Sequence, residues 1–174
     1  MRILSATIRV AAVGCLAFLA ASLGFASAGA STIVALGASN TFGKGVARNQ
    51  AYPAQLEAIL RARGYGVRVI NAGVNGATTG DMLRRLGAVV RPGANVVILQ
   101  PGGNDRRIGV EAYRAGNIAE IQSRLKARGI RLVIVENSML HGLPRQADGQ
   151  HLTPEGYRML AESLAAQVTS AIGK

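Results

Sequence analysis

The chain contains no tryptophan and a single cysteine, Cys15, among its 174 residues. One thiol excludes a disulfide framework and a cysteine-rich zinc site. Aromatic residues make up 4%, too few for the stacking platforms that hold single-stranded nucleic acid. Acidic side chains are also scarce: 9 Asp and Glu stand against 20 Lys and Arg, for a net charge of +11. The excess is mostly arginine and scattered, with no run longer than Arg84-Arg85 or Arg106-Arg107, so no basic tail exists. We therefore expect no nucleic-acid partner; an anionic membrane or glycan surface, touched peripherally, is the more plausible use of the charge. Neither G-x-x-x-x-G-K-[ST] nor a well-placed G-x-G-x-x-G occurs, which argues against a nucleotide site. What the chain does have is apolar content, 49%, enough for the core of one domain.

Residues 1–30 read as a separate secretory signal. Arg2 and Arg9 form a positive start, Val10 to Leu23 a largely apolar run, and Ala26-Ser27-Ala28 or Ala28-Gly29-Ala30 a small-residue exit. The expectation is a secreted or periplasmic protein whose mature domain is 31–174; the alternative is a membrane anchor formed by the uncleaved segment. Cleavage removes Cys15 together with Arg2 and Arg9, taking the net charge from +11 to +9.

From Thr32 onward, apolar runs alternate with helical patterns. Thr32–Leu36, Val67–Ile70, Val96–Leu99 and Leu132–Val135 read as buried strands. Helices are expected from Pro53 to near Gly64, from Asp81 to Leu86 behind Thr78-Thr79, from Val110 to Arg128, and from Pro154 behind a Thr153 cap. Continuous apolar strands alternating with helices imply α/β architecture, a parallel sheet covered on both faces in three α/β/α layers. Ligands of such sheets bind beyond the carboxyl ends of the strands.

Four loops meet at that edge: Gly37-Ala38-Ser39-Asn40, Asn71 to Gly76, Gly102-Gly103-Asn104-Asp105, and Asp148-Gly149-Gln150-His151. Acyl transfer needs a nucleophile, a base, an orienter for the base and fixed donors for the oxyanion. Ser39 is the candidate nucleophile, His151 the base and Asp148 the orienter. Gly76 and Asn104, with the Ser39 N–H, are the candidate oxyanion donors. Alone, each is an ordinary loop residue; it is their joint occurrence, in this order and on these loops, that points to chemistry.

These segments resemble the SGNH hydrolases, the GDSL lipase/esterase family, whose Ser, Gly, Asn and His match Ser39, Gly76, Asn104 and His151, with Asp148 in the family's D-x-x-H pair. The resemblance covers essentially the whole chain from Ile33 to the last helix. It implies a flavodoxin-like parallel sheet of four to five strands. It further implies hydrolysis of carboxylic esters or thioesters through a Ser39 acyl-enzyme, without metal or cofactor, on small-molecule esters or acylated lipids or sugars. Two departures stand out. Ala38 replaces an aspartate that helps to fix the nucleophile loop in the family; a catalytically impaired carbohydrate- or lipid-binding relative is the alternative reading. The stretch from Glu136 to His151 is too short for the family's extra helix and fifth strand, so a four-strand version with a mobile, substrate-facing loop is expected. Arg106, Arg107 and His141 are candidate residues of the substrate rim.

Overall fold

The computed structural model describes residues 30–173; the expected signal segment, all but its last residue Ala30, lies outside them. Four strands, β1 (Ser31–Gly37), β2 (Val67–Gly73), β3 (Ala94–Gln100) and β4 (Arg131–Ile134), form a parallel sheet in the order β2-β1-β3-β4. The main helices are α2 (Tyr52–Ala62), α3 (Thr79–Val89), α5 (Arg114–Ala127) and α6 (Pro154–Ile172). Two four-residue helices, α1 (Ser39–Phe42) and α4 (Asn104–Arg107), follow the ends of β1 and β3 after one and three residues.

The three layers follow from strand alternation. Ile33 and Ala35 of β1, with Val96 and Ile98 of β3, pack on one side against Tyr52, Leu56 and Leu60 of α2 and Leu160, Leu164 and Val168 of α6. Val34, Leu36, Val97 and Leu99 point the other way, against Met82 and Leu86 of α3 and Ile121 and Leu125 of α5. Because both faces of the two central strands are buried, they read as unbroken apolar runs.

Helix starts obey local chemistry. Thr78 caps α3 by accepting from the Asp81 N–H at 3.1 Å, while the Asp81 carboxylate accepts from the Thr78 N–H at 2.8 Å. This reciprocal box starts α3 at Thr79, two residues before the expected Asp81; the helix also runs on past Leu86 to Val89. Thr153 caps α6 through the Gly156 N–H, with Pro154 in the first turn. The helix expected from Val110 starts later. Glu111–Tyr113 forms a 3₁₀ turn, closed by Tyr113 N–H to Val110 O at 3.1 Å, because no side chain caps an α-turn there.

Candidate active site

The carboxyl ends of β1 and β3 deliver Ser39 and Asn104 as the first residues of α1 and α4. The Ser39 N–H is thus one of the first-turn donors that a helix leaves without an internal partner. The loop before α6 delivers the other side chains. Arg145 and Leu152 form an antiparallel bridge, and the Gln146 N–H donates to His151 O at 2.8 Å. Within this turn one Asp148 oxygen accepts from the N–H groups of Gln150 and His151, both at 2.9 Å. The other faces His151 Nδ1 at 2.5 Å, and His151 Nε2 lies 2.8 Å from Ser39 Oγ. The three-residue spacing of Asp and His is therefore what lets one carboxylate hold both the turn and the ring.

The His151 side-chain bond, with the N–H groups of His151 and Gln150, holds the Asp148 carboxyl well below the usual carboxylate range. An ionised Asp148 requires a proton on Nδ1, which leaves the Nε2 lone pair for the Ser39 hydroxyl. His151 is buried to 6% exposure. Ser39, Asn104 and His151 all line a cavity of about 700 Å³. Asn104 Nδ2 donates one proton to Ala77 O at 2.8 Å; an amide nitrogen carries a second.

A family profile described as GDSL-like Lipase/Acylhydrolase matches residues 35–168. The chain belongs to this family. Esterase TesA of Pseudomonas aeruginosa is 30% identical over 126 residues, 70% of this chain and 60% of that protein. The chain thus spans about 60% of the length of that relative. A crystal structure of TesA superposes with a TM-score of 0.73 at 22% identity, covering 81% of this chain and 99% of the other, and supports the common fold. AlinE4, an SGNH-hydrolase family esterase, matches at 28% identity and a TM-score of 0.57, covering 81% of this chain and 73% of its own.

Placed on the family frame, the expected residues separate into two groups. Ser39, His151, Asp148 and Asn104 converge, and Arg106 and Arg107 line the same cavity. Gly76 and His141 do not line it. Gly76 is exposed in a turn with φ of 76° and faces a neighbouring cavity beside Asp81, Arg84 and Arg85. Arg107 Nη2, from the wall of the site cavity, stands 3.9 Å from where a Gly76 Cβ would lie, so the Gly76 turn borders that wall. His141 is exposed, just after a 3₁₀ turn at Asn137–Leu140 whose Leu140 is buried. Arg145 ties that segment down, donating to Leu140 O at 2.7 Å and Gln150 O at 3.0 Å. Glu136 to Gln146 is therefore braced rather than a free substrate-facing loop, and Arg145, not His141, is its contribution to the cavity wall.

Ala38, where the family has aspartate, is buried in the core beneath the nucleophile. Other groups hold this loop. Gln100 Oε1 accepts from the Ala38 N–H at a long 3.4 Å and from Thr41 Oγ1 at 3.3 Å. Arg85 donates to Gly37 O at 2.9 Å and Ala72 O at 2.6 Å, pinning the ends of β1 and β2 together. Asn40 Oδ1 accepts from Tyr157 Oη at 3.1 Å; burial pushes that phenol up to about 12, so it remains a donor. Asp105, buried behind Asn104, accepts from the Thr79 N–H and, at 2.5 Å, from Thr79 Oγ1. The sequence alone assigns no role to these four supports. Asn40 and Asp105 were visible beside Ser39 and Asn104 in their motifs; Gln100 and Arg85 carried no local signal.

Proposed function

We propose that this protein is a serine esterase. The reading rests on one observation: Ser39 Oγ, His151 and Asp148 form a continuous hydrogen-bonded relay that opens into a cavity shared with Asn104. Family membership supports it, and the relatives named as esterases are consistent with it.

In this mechanism His151 Nε2 accepts the Ser39 hydroxyl proton as Oγ attacks the ester carbonyl carbon. The carbonyl oxygen becomes an oxyanion, met by the Ser39 N–H and the free proton of Asn104 Nδ2. Collapse breaks the bond to the alcohol oxygen, which takes the proton from His151, leaving Ser39 acylated. Water then gives a proton to Nε2 and attacks the acyl carbon; the second collapse releases the acid and returns the proton to Ser39 Oγ. Asp148 stays ionised throughout, keeping the ring in the productive tautomer and stabilising the imidazolium.

The relay favours this reading over a catalytically impaired binding relative, because Ala38 removes no member of it. Hydrolysis of 4-nitrophenyl acetate and labelling by a fluorophosphonate test it. Both should occur in the wild type and vanish in Ser39→Ala; equal rates in the two proteins would refute it. We also infer action in the periplasm or outside the cell after removal of residues 1–30, on the strength of the Arg2, Arg9 and Val10–Leu23 pattern.

A further inference from the structure

We propose that the site selects short-acyl esters that carry a negatively charged group, a carboxylate or phosphate, held by Arg106 and Arg107. The inference rests on the esterase reading and adds the substrate class.

Two features of the cavity wall carry it. The first is the scarcity of aliphatic side chains. Ala38 is the only aliphatic side chain on a wall otherwise made of glycine and polar residues. A long acyl chain gains roughly 0.8 kcal/mol for each CH₂ it buries in apolar surroundings, and a wall with one aliphatic side chain offers it few such contacts. An apolar cavity of about 380 Å³, lined by Val34, Ile70 and Val89, shares no residue with it. That cavity also includes Thr32 and Ala94, at the starting ends of β1 and β3 and so away from Ser39.

The second feature is charge of one sign. Arg106, Arg107 and Arg145 line the wall and no carboxylate does. Arg145 is spent on the carbonyls of Leu140 and Gln150. Of the nearby acids, Asp148 holds His151, Asp105 is turned inward onto Thr79, and Glu111 lies outside this wall, on an adjoining cavity it shares with Arg106 and Arg114. Arg106 and Arg107 are exposed and, among the described residues, have no side-chain hydrogen bond or ion pair. They follow Asn104 on α4, and Arg107 reaches toward the Gly76 turn. Two planar donor forks beside the oxyanion side of a site match a carboxylate or phosphate in geometry as well as charge.

The test uses matched ester pairs that differ in charge. 4-Acetoxybenzoate against 4-acetoxybenzamide places the charge on the alcohol portion. Mono-4-nitrophenyl glutarate against 4-nitrophenyl butyrate places it on the acyl portion. In at least one pair the wild type should favour the anion by tenfold or more in kcat/KM, chiefly through KM. The preference should shrink as salt is raised. It should fall to near unity in the Arg106→Gln/Arg107→Gln variant and recover in part in Arg106→Lys/Arg107→Lys. Among uncharged 4-nitrophenyl esters, acetate to butyrate should be turned over faster than octanoate and longer. No anionic preference in a wild type that hydrolyses the neutral esters, or a rate rising with chain length, would overturn the inference and leave the esterase reading standing. Failure to hydrolyse any of these esters would remove both.

Discussion

Gly73→Ala probes how tightly the fold holds the nucleophile. Gly73 ends β2 beside Gly37 of β1, beneath α1. A Cβ there would lie 2.1 Å from Phe42 N, 2.6 Å from Phe42 Cα and 2.6 Å from the Thr41 carbonyl carbon. All three are backbone atoms, so no rotamer change relieves the clash. Restoring an ordinary separation of roughly 3.5–4.0 Å requires α1 to retreat by about 1 Å or more. Ser39 is the first residue of α1, and its Oγ sits 2.8 Å from His151 Nε2; a shift of that size ends the hydrogen bond. Overpacking of this kind costs about 1–3 kcal/mol of stability, and a 1 Å misplacement in an active site costs roughly 100-fold in rate. The assay is kcat/KM on 4-nitrophenyl acetate beside thermal unfolding. Gly87→Ala is the control. Gly87 is exposed on α3 with nothing within 4 Å of an added Cβ, so alanine should stabilise the helix by about 0.8–1 kcal/mol and leave the rate alone. A Gly73→Ala protein with wild-type kcat/KM and an unchanged melting temperature would refute the argument that β2 sets the position of Ser39.

Two further outcomes follow from the geometry. Asn104→Ala should lower kcat by about 10²–10³-fold with a folded protein still labelled at Ser39, the usual cost of one oxyanion donor; an unaffected kcat would take Asn104 out of the mechanism. Asp81→Ala should destabilise at neutral pH by roughly 0.5–1 kcal/mol, the low end for a cap because the carboxylate is more than a third exposed. Hydrogen bonds from the Thr78 N–H and hydroxyl hold the Asp81 carboxyl below its ordinary value. Its contribution is therefore present above the unfolded value of about 3.9 and is lost as pH falls through the lower folded value. Urea unfolding at pH 7 and at the lowest pH that keeps the protein folded should show the gap to wild type narrowing in acid; a constant gap would refute the linkage.

The chain's sequence by itself determined the sheet and the four main helices. β1 and β3 are legible because burial on both faces demands continuous apolar residues, and α6 because Thr153-Pro154 is a start signal written in adjacent residues. The Asp148–His151 pair is legible for the same reason: one short turn brings its members together. Only the tertiary structure decided the rest. α1 and α4 are too short to show a period, and α1 begins where Ala38 O accepts from the Thr41 and Phe42 N–H groups at a strand end. The bracing of the nucleophile loop by Gln100 and Arg85 joins residues up to 62 positions apart. The place of Gly76 outside the cavity, and of Arg145 rather than His141 on its wall, likewise depends on how separate loops pack at one edge of the sheet. Local spacing is written in the sequence because it needs only neighbouring residues; which distant side chains share a cavity is set by the packing of both faces of the sheet.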